Sequence, residues 1–336
     1  MAETKTEIAQ YIRKIQTLRR KKCLRWKKIY KFLRKISNRS YKIIIAFPLF
    51  IVFYYLIGSL ISENIDTQTE YKLANKHLPK LETAECMSFL IKREVDTKIW
   101  TPNLPFIFPA YVLDNMPNFQ TGIIKATYDT AKILRKFERN NEPQKKNIKA
   151  ATELLNYPPD IWLMSKKSKL NLSPSSNSQY RKAGHELHQY SQNGAFSPLK
   201  NDFLLLLSAT EDNLQNLVRK NENYQQENML LWIDFHVDDY FYQNKGYAFA
   251  LWQIYKVLGS DYKEIILQYN SYVEWTHVLS SLRKAAEFEP FIIRNGKPDS
   301  LTAPNHLLLQ NFYIQRAISA IEKVHNNILK EKQNAD

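Results

Sequence analysis

Carboxylates and imidazoles stand close together at three places in this chain, and each place invites a chemical reading. In IDFHVDDYFY, residues 233–242, Asp234, His236, Asp238 and Asp239 offer oxygen and nitrogen ligands for a divalent cation. In HELH, residues 185–188, His185 and His188 stand three apart with Glu186 between them. In YVLDNMPNFQTG, residues 111–122, Asp114, Asn115 and Asn118 crowd around Pro117. Were folding to bring Asp114, Asp238, Asp239 and His306 into one cleft, a metal-dependent hydrolase would follow.

Each cluster also has a reading without chemistry. A metalloprotease helix needs its histidines four apart with glutamate beside the first, so HELH has the wrong spacing. Asp238 or Asp239 stands where a helix should begin, and a carboxylate there caps free amides and faces the positive dipole end. The same holds for the 111–122 stretch: Pro117 suits a first helical turn, Asn115 or Asn118 can cap, and Asp114 favours the positive end. No G-x-S-x-G elbow, P-loop, Rossmann fingerprint or Cys-His arrangement occurs. No catalytic residue is assigned, no metal ligand set is adopted, and no cofactor is expected.

The elements that must position these residues read as helices. Only 7 glycines are spread over 336 residues, too few for architectures that depend on many positive-φ positions. After the Pro-spaced TPNLPFIFPAY, residues 101–111, Phe119, Ile123, Ala126, Thr130, Leu134 and Phe137 mark one helical face. Lys125, Asp129, Lys132, Lys136 and Arg139 mark the other. A helix is expected at about 66–97, and further helices at about 176–192, 200–224, 237–258, 261–268, 271–287 and 304–331, the last with Pro304 in its first turn. FLLLL at 203–207 and the aromatics of YFYQNKGYAFALW read as core. The Ser/Pro/Asn-rich NLSPSSNS, residues 171–178, marks a lobe boundary near 165–178.

The net charge of +15 is confined to one end. Residues 1–42 contain 15 Lys and Arg against Glu3 and Glu7, which is +13, and the other 294 residues carry only +2. Nucleic acid is therefore not an expected partner. IIIAFPLFIVFYYLIGSLI, residues 43–61, follows with no charge at all, and its 19 residues at about 1.5 Å rise match the thickness of a bilayer core. We expect a transmembrane signal anchor at 43–61, a cytoplasmic basic segment at 1–42 and an outward-facing helical domain at 62–336, oriented by the positive-inside rule.

Tyr11, Ile15, Leu18, Trp26, Ile29, Leu33 and Ile36 recur near helical spacing among the basic residues. Residues 13–42 could therefore lie on anionic lipid head groups. Cys23 and Cys86 fall on opposite sides of the expected span, so no disulfide is expected between them.

PAYVLDNMPNFQTGII resembles the signature of a proteobacterial family of single-pass inner-membrane proteins catalogued as a domain of unknown function, family 2333. SQYRKAGHELHQY, VDDYFYQNKGYAFAL and NHLLLQNFYIQRAISAI resemble further segments of that family. The family-signature positions are Leu113, Asp114, Asn115, Pro117, Asn118, Asp238, Asp239, Tyr242, Gly246, Asn305, His306, Tyr313 and Arg316. The resemblance implies a mainly α protein: one N-terminal transmembrane helix in the bacterial inner membrane, then a multi-helix periplasmic ectodomain, in one or two lobes. The expected role is a scaffold or interaction component of the envelope, engaging a protein partner or a second copy of itself.

Overall fold

The computed structural model describes residues 26–27, 38–62, 65–72, 81–112, 114–137, 142–162, 173–193, 196–228, 234, 236–296 and 304–330. Most of the basic segment, Cys23, Leu113 and the first part of the expected lobe boundary, 165–172, lie outside the described residues. The chain divides into two compact units, Met1–Gly58 and Ser59–Asp336. Among the described residues there are ten α-helices and no strand.

Helix α1, Asn38–Ser62, carries the expected span 43–61 and includes Pro48. Large apolar side chains lie exposed along it, among them Phe47, Phe50, Phe53, Leu56 and Leu60. The side chains of Ile44 and Ile61 lie outside the described residues. Among the described residues no helix is long and apolar enough to cross a membrane.

The second unit is a helical bundle. Its helices are α2 (Glu82–Lys92), α3 (Asn115–Leu134), α4 (Glu142–Leu155), α5 (Ser176–Gln192) and α6 (Lys200–Asn228). They continue with α7 (Val237–Asp261), α8 (Lys263–Gln268), α9 (Tyr272–Glu287) and α10 (His306–Lys330). At the centre is α7, whose residues from Asn244 to Tyr255 are all buried. A helix buried on every side must be apolar or internally paired on every side. That explains why YAFALWQIY shows no amphipathic stripe.

Around α7 pack α3, α9, α2 and α10. Helix α10 also packs on α9 and α6, and α5 packs on α2 and α4. The 203–207 run is core as expected: Phe203, Leu206 and Leu207 are buried, and Phe203 stacks on Tyr262 at 4.7 Å. Tyr255 stacks on Trp275 at 5.4 Å.

Several expectations shift. Of the helix expected at 66–97, Glu82–Lys92 is helical and runs into a π-helical turn at Arg93–Thr97, residues 65–72 are irregular, and 73–80 lie outside the described residues. Those residues are instead tied down individually. Asp66 accepts the amides of Gln68 and Thr69 at 2.7 and 3.1 Å. Tyr71 donates its amide to Gln253, and Lys256 pairs with Glu70.

Helix α3 begins at Asn115, with Pro117 in its first turn as expected, whereas α10 begins at His306, with Pro304 before the helix rather than inside its first turn. Helix α4 was not foreseen, although Ile148, Ala151, Thr152 and Leu155 carry the helical period. Asp129, expected on the solvent face, is buried: Lys125 (2.8 Å), Lys132 (3.0 Å) and the Tyr247 hydroxyl (3.1 Å) surround it.

Candidate functional site

Helices α3 and α7 meet more closely than side chains would permit. A Cβ on Gly122 would lie 2.0 Å from the Gln243 carbonyl oxygen, and one on Gly246 would lie 1.9 Å from that of Phe119. Asn118 faces Asp239 and Gly122 faces Gln243, the same step along both chains, so the helices run parallel with their N-termini at one end. Two positive helix ends thus lie together.

Three carboxylates gather there. Asp114 is the N-cap of α3 and accepts the Asn115 amide at 2.9 Å. Asp238 accepts the Asp239 amide at 3.1 Å. Asp239 takes a hydrogen bond from the Asn118 side chain at 2.5 Å, and its other oxygen lies 3.2 Å from Nδ1 of His236. Asn118 also donates to the Asp114 carbonyl oxygen at 2.9 Å, so it bridges the two helix starts rather than capping one. Pro117 sits in the first turn of α3, and its carbonyl oxygen accepts the Thr121 hydroxyl at 2.8 Å.

One ligand atom from each of Asp114, Asp238 and Asp239 lies within 4.8 Å of the others. Such a group could ligate a hard cation through oxygen. It also answers the two helix dipoles without one. Partial burial, then the charges of Asp114 and Asp239, push the Asp238 carboxyl above the usual carboxylate range.

His306 is not a member of this group. Its Nδ1 accepts the Arg294 amide at 3.0 Å while its own amide donates to the Arg294 carbonyl oxygen. Burial and the Arg294 charge lower its pKa, which favours the neutral ring. Asn305 beside it caps α10 by accepting the Leu308 amide at 2.9 Å, and it donates to Asn295 and Gly296. Asp234 belongs to this second network, accepting from the Tyr224 hydroxyl and from Asn295. Asp234 therefore serves architecture and stays out of the carboxylate group.

Tyr242 packs beside the small cluster of Val237, Phe241 and Leu307. Tyr313 meets the Phe288 ring at 6.4 Å, and the Arg316 guanidinium lies 5.7 Å from the Phe312 ring centre. The three stretches expected as family signatures, 114–118, 238–246 and 305–313, therefore converge on the first half of α7. Their observed work is helix capping, close helix contact and ring packing.

The HELH motif points in two directions. Glu186 accepts from Asn147 on α4 at 2.7 Å. His188 lies 2.7 Å from Glu85 on α2, and both histidines line a cavity of about 590 Å³ between α2 and α5. Sequence reasoning missed this groove, because Glu85 and His188 are 103 residues apart. It missed as well the buried Arg93–Glu94 pair (2.6 Å), held by Gln120, and the fully buried Lys245, which donates to the Phe288 carbonyl oxygen. The one available signal for these was a charged residue inside an otherwise apolar period.

The described residues of the second unit form an all-helical domain. Residues 204–331 match the model of the family described as an uncharacterized protein conserved in bacteria (DUF2333), the same family that the sequence resembles. No curated protein and no solved structure matches the chain.

Proposed function

We propose that this protein is anchored in the bacterial inner membrane by residues 43–61 and serves as a helical scaffold of the envelope. In this reading residues 1–42 are cytoplasmic, with anionic lipid beneath 13–42, and the bundle faces the periplasm. The observation that carries it is the uncharged 43–61 run on α1, its large apolar side chains exposed, directly behind a segment of +13. A helical bundle whose signature residues cap and pack helices supports a role in holding a partner or a second copy.

The test has two arms. A membrane-impermeant maleimide applied to spheroplasts labels Asp212→Cys, an exposed position on α6, and leaves Cys23 unlabelled; the reverse pattern inverts the topology. Purification in mild detergent yields a stoichiometric envelope partner or a defined oligomer; a lone monomer removes the scaffold role.

A second reading, a metal-dependent envelope hydrolase, is favoured by the convergence of Asp114, Asp238 and Asp239 and weakened by the place of His306. Calorimetric titration with Ca²⁺, Mg²⁺ and Mn²⁺ decides it: no saturable binding that Asp238→Asn abolishes leaves the carboxylates as helix-end counter-charges.

A further inference from the structure

The stretch IWTPNLPFIFPAYVL, residues 99–113, carries no charge, with Lys98 before it and Asp114 after. Its large apolar side chains face outward: Ile99 is 59% exposed, Phe106 67%, Ile107 54% and Tyr111 57%. The display is rigid. Trp100, Thr101, Asn103 and Ala110 are buried beneath it. Trp100 donates to the Pro159 carbonyl oxygen at 3.1 Å, Asn103 to that of Ile161 at 2.9 Å, and the Thr101 amide to Gln120 at 2.9 Å. Turns close the crest, with the Phe108 amide on Pro105 and the Tyr111 amide on Phe108, both at 3.0 Å. Pro105 and Pro109 fix φ on either side of it.

Its root is held beside the start of the bundle. Arg93 reaches the Thr69 carbonyl oxygen at 3.4 Å, and the Lys98 amide donates to the Arg93 carbonyl oxygen at 2.9 Å. Lys98 and Asp66 attract one another. From Ser62, the last residue of α1, to Asp66 is four residues, a reach of at most about 14 Å. If α1 crosses the bilayer, this chain length holds the root of the loop close to the lipid head groups.

We propose that the Phe106-Ile107-Phe108 crest inserts into the head-group region of the bilayer that holds the chain, giving the bundle a second, peripheral contact with lipid. The inference rests on the anchor reading above. A bilayer suits this surface better than a protein rim does: no charge interrupts it, and its aromatic side chains favour the interface.

The test uses the full chain with Cys23→Ser, leaving Cys86, which is buried and whose thiol pKa is raised by that burial. An environment-sensitive fluorophore is placed at Ile107→Cys and separately at Tyr111→Cys, with Phe53→Cys reporting the anchor and Asp212→Cys as an exposed control. Each variant is checked for helical content and reconstituted in phosphatidylethanolamine–phosphatidylglycerol vesicles carrying lipid spin-labelled near the head group for the loop and control sites, and deep in the acyl chain for Phe53→Cys, which stands at the middle of the expected span. The expected result is quenching at 107 and 111 at least about twofold stronger than at 212, with a blue-shifted emission. Quenching at 53 with neither loop site quenched overturns the inference and keeps the anchor. Absence of quenching at all three sites removes the anchor and the inference with it.

Discussion

Replacing Gly246 by alanine tests the α3–α7 contact, and its sign is opposite to what helix propensity alone gives. Alanine in a helix interior is favoured over glycine by about 0.8–1.0 kcal/mol. At Gly246, however, the new Cβ would lie 1.9 Å from the Phe119 carbonyl oxygen and 2.8 Å from its carbon. A carbon–oxygen contact settles near about 3.3 Å, so the helices must separate by roughly 1.4 Å. Backbone atoms cannot turn aside as a flexible side chain would. Gaps of that size forfeit a large share of the dispersion contacts along the interface, and overpacking alone costs about 1–3 kcal/mol.

The expected net loss is about 2–4 kcal/mol, or roughly 5–15 °C in Tm for a bundle of this size. Gly184→Ala is the internal control. Its Cβ would meet Ile91 at 3.5 Å, an ordinary contact, so alanine there is neutral or stabilising by up to about 1 kcal/mol. Denaturation followed by far-ultraviolet circular dichroism reads both variants. Equal shifts in the two, or a Gly246→Ala protein as stable as wild type, would refute the close-approach argument.

Glu82 is 5% exposed, and burial, then the Asp261 charge, push its carboxyl up to about 7. A raised carboxyl pKa favours folding while the group is protonated, and that contribution is lost as pH rises from about 4.5 through about 7. Glu82→Gln should therefore gain about 1–3 kcal/mol on wild type between pH 5 and pH 8, measured by urea titration at both values. Asp129→Asn should cost about 1–3 kcal/mol, less than a fully buried ion pair because Lys125 and Lys132 are half-exposed and can turn to water. Asn305→Ala removes the cap of α10 and the side-chain bonds donated to Asn295 and Gly296, for an expected loss of about 1–2 kcal/mol read in the same titration.

Helix positions were legible where one face is buried and the other is wet, as in α3 with Phe119, Ile123 and Leu134 against Lys125 and Lys132. They blurred where that contrast fails. Residues 65–72 are held by Gln253, Lys256 and Arg93, partners that local pattern cannot name. Asp129 looked like a solvent residue because its neighbours at three and four positions are lysines; only the hydroxyl of Tyr247, 118 positions away, reveals it as buried.

For the candidate site, capping was readable from residue type at Asp114; Asp238 and Asp239 instead lie inside the first turn of α7, whose N-cap is His236 and makes no side-chain cap bond. That the two helix starts coincide depends on Gly122 and Gly246, whose missing side chains let α3 and α7 run side by side. His306 could not be placed from sequence, since its partner Arg294 is set by the Asn295–Asn305 bridge rather than by either helix.

The stitching of residues 65–71 has a mechanical consequence. A pull on the chain at Ser62 does not peel a terminal helix from the surface of the bundle. The load passes through Thr69 and Arg93 into the end of α2, and through Glu70 and Tyr71 into α7 at Lys256 and Gln253. These bonds deliver it to α7, the buried helix against which α3, α9, α2 and α10 pack. Tension along the chain is thus divided between the end of α2 and the centre of the bundle.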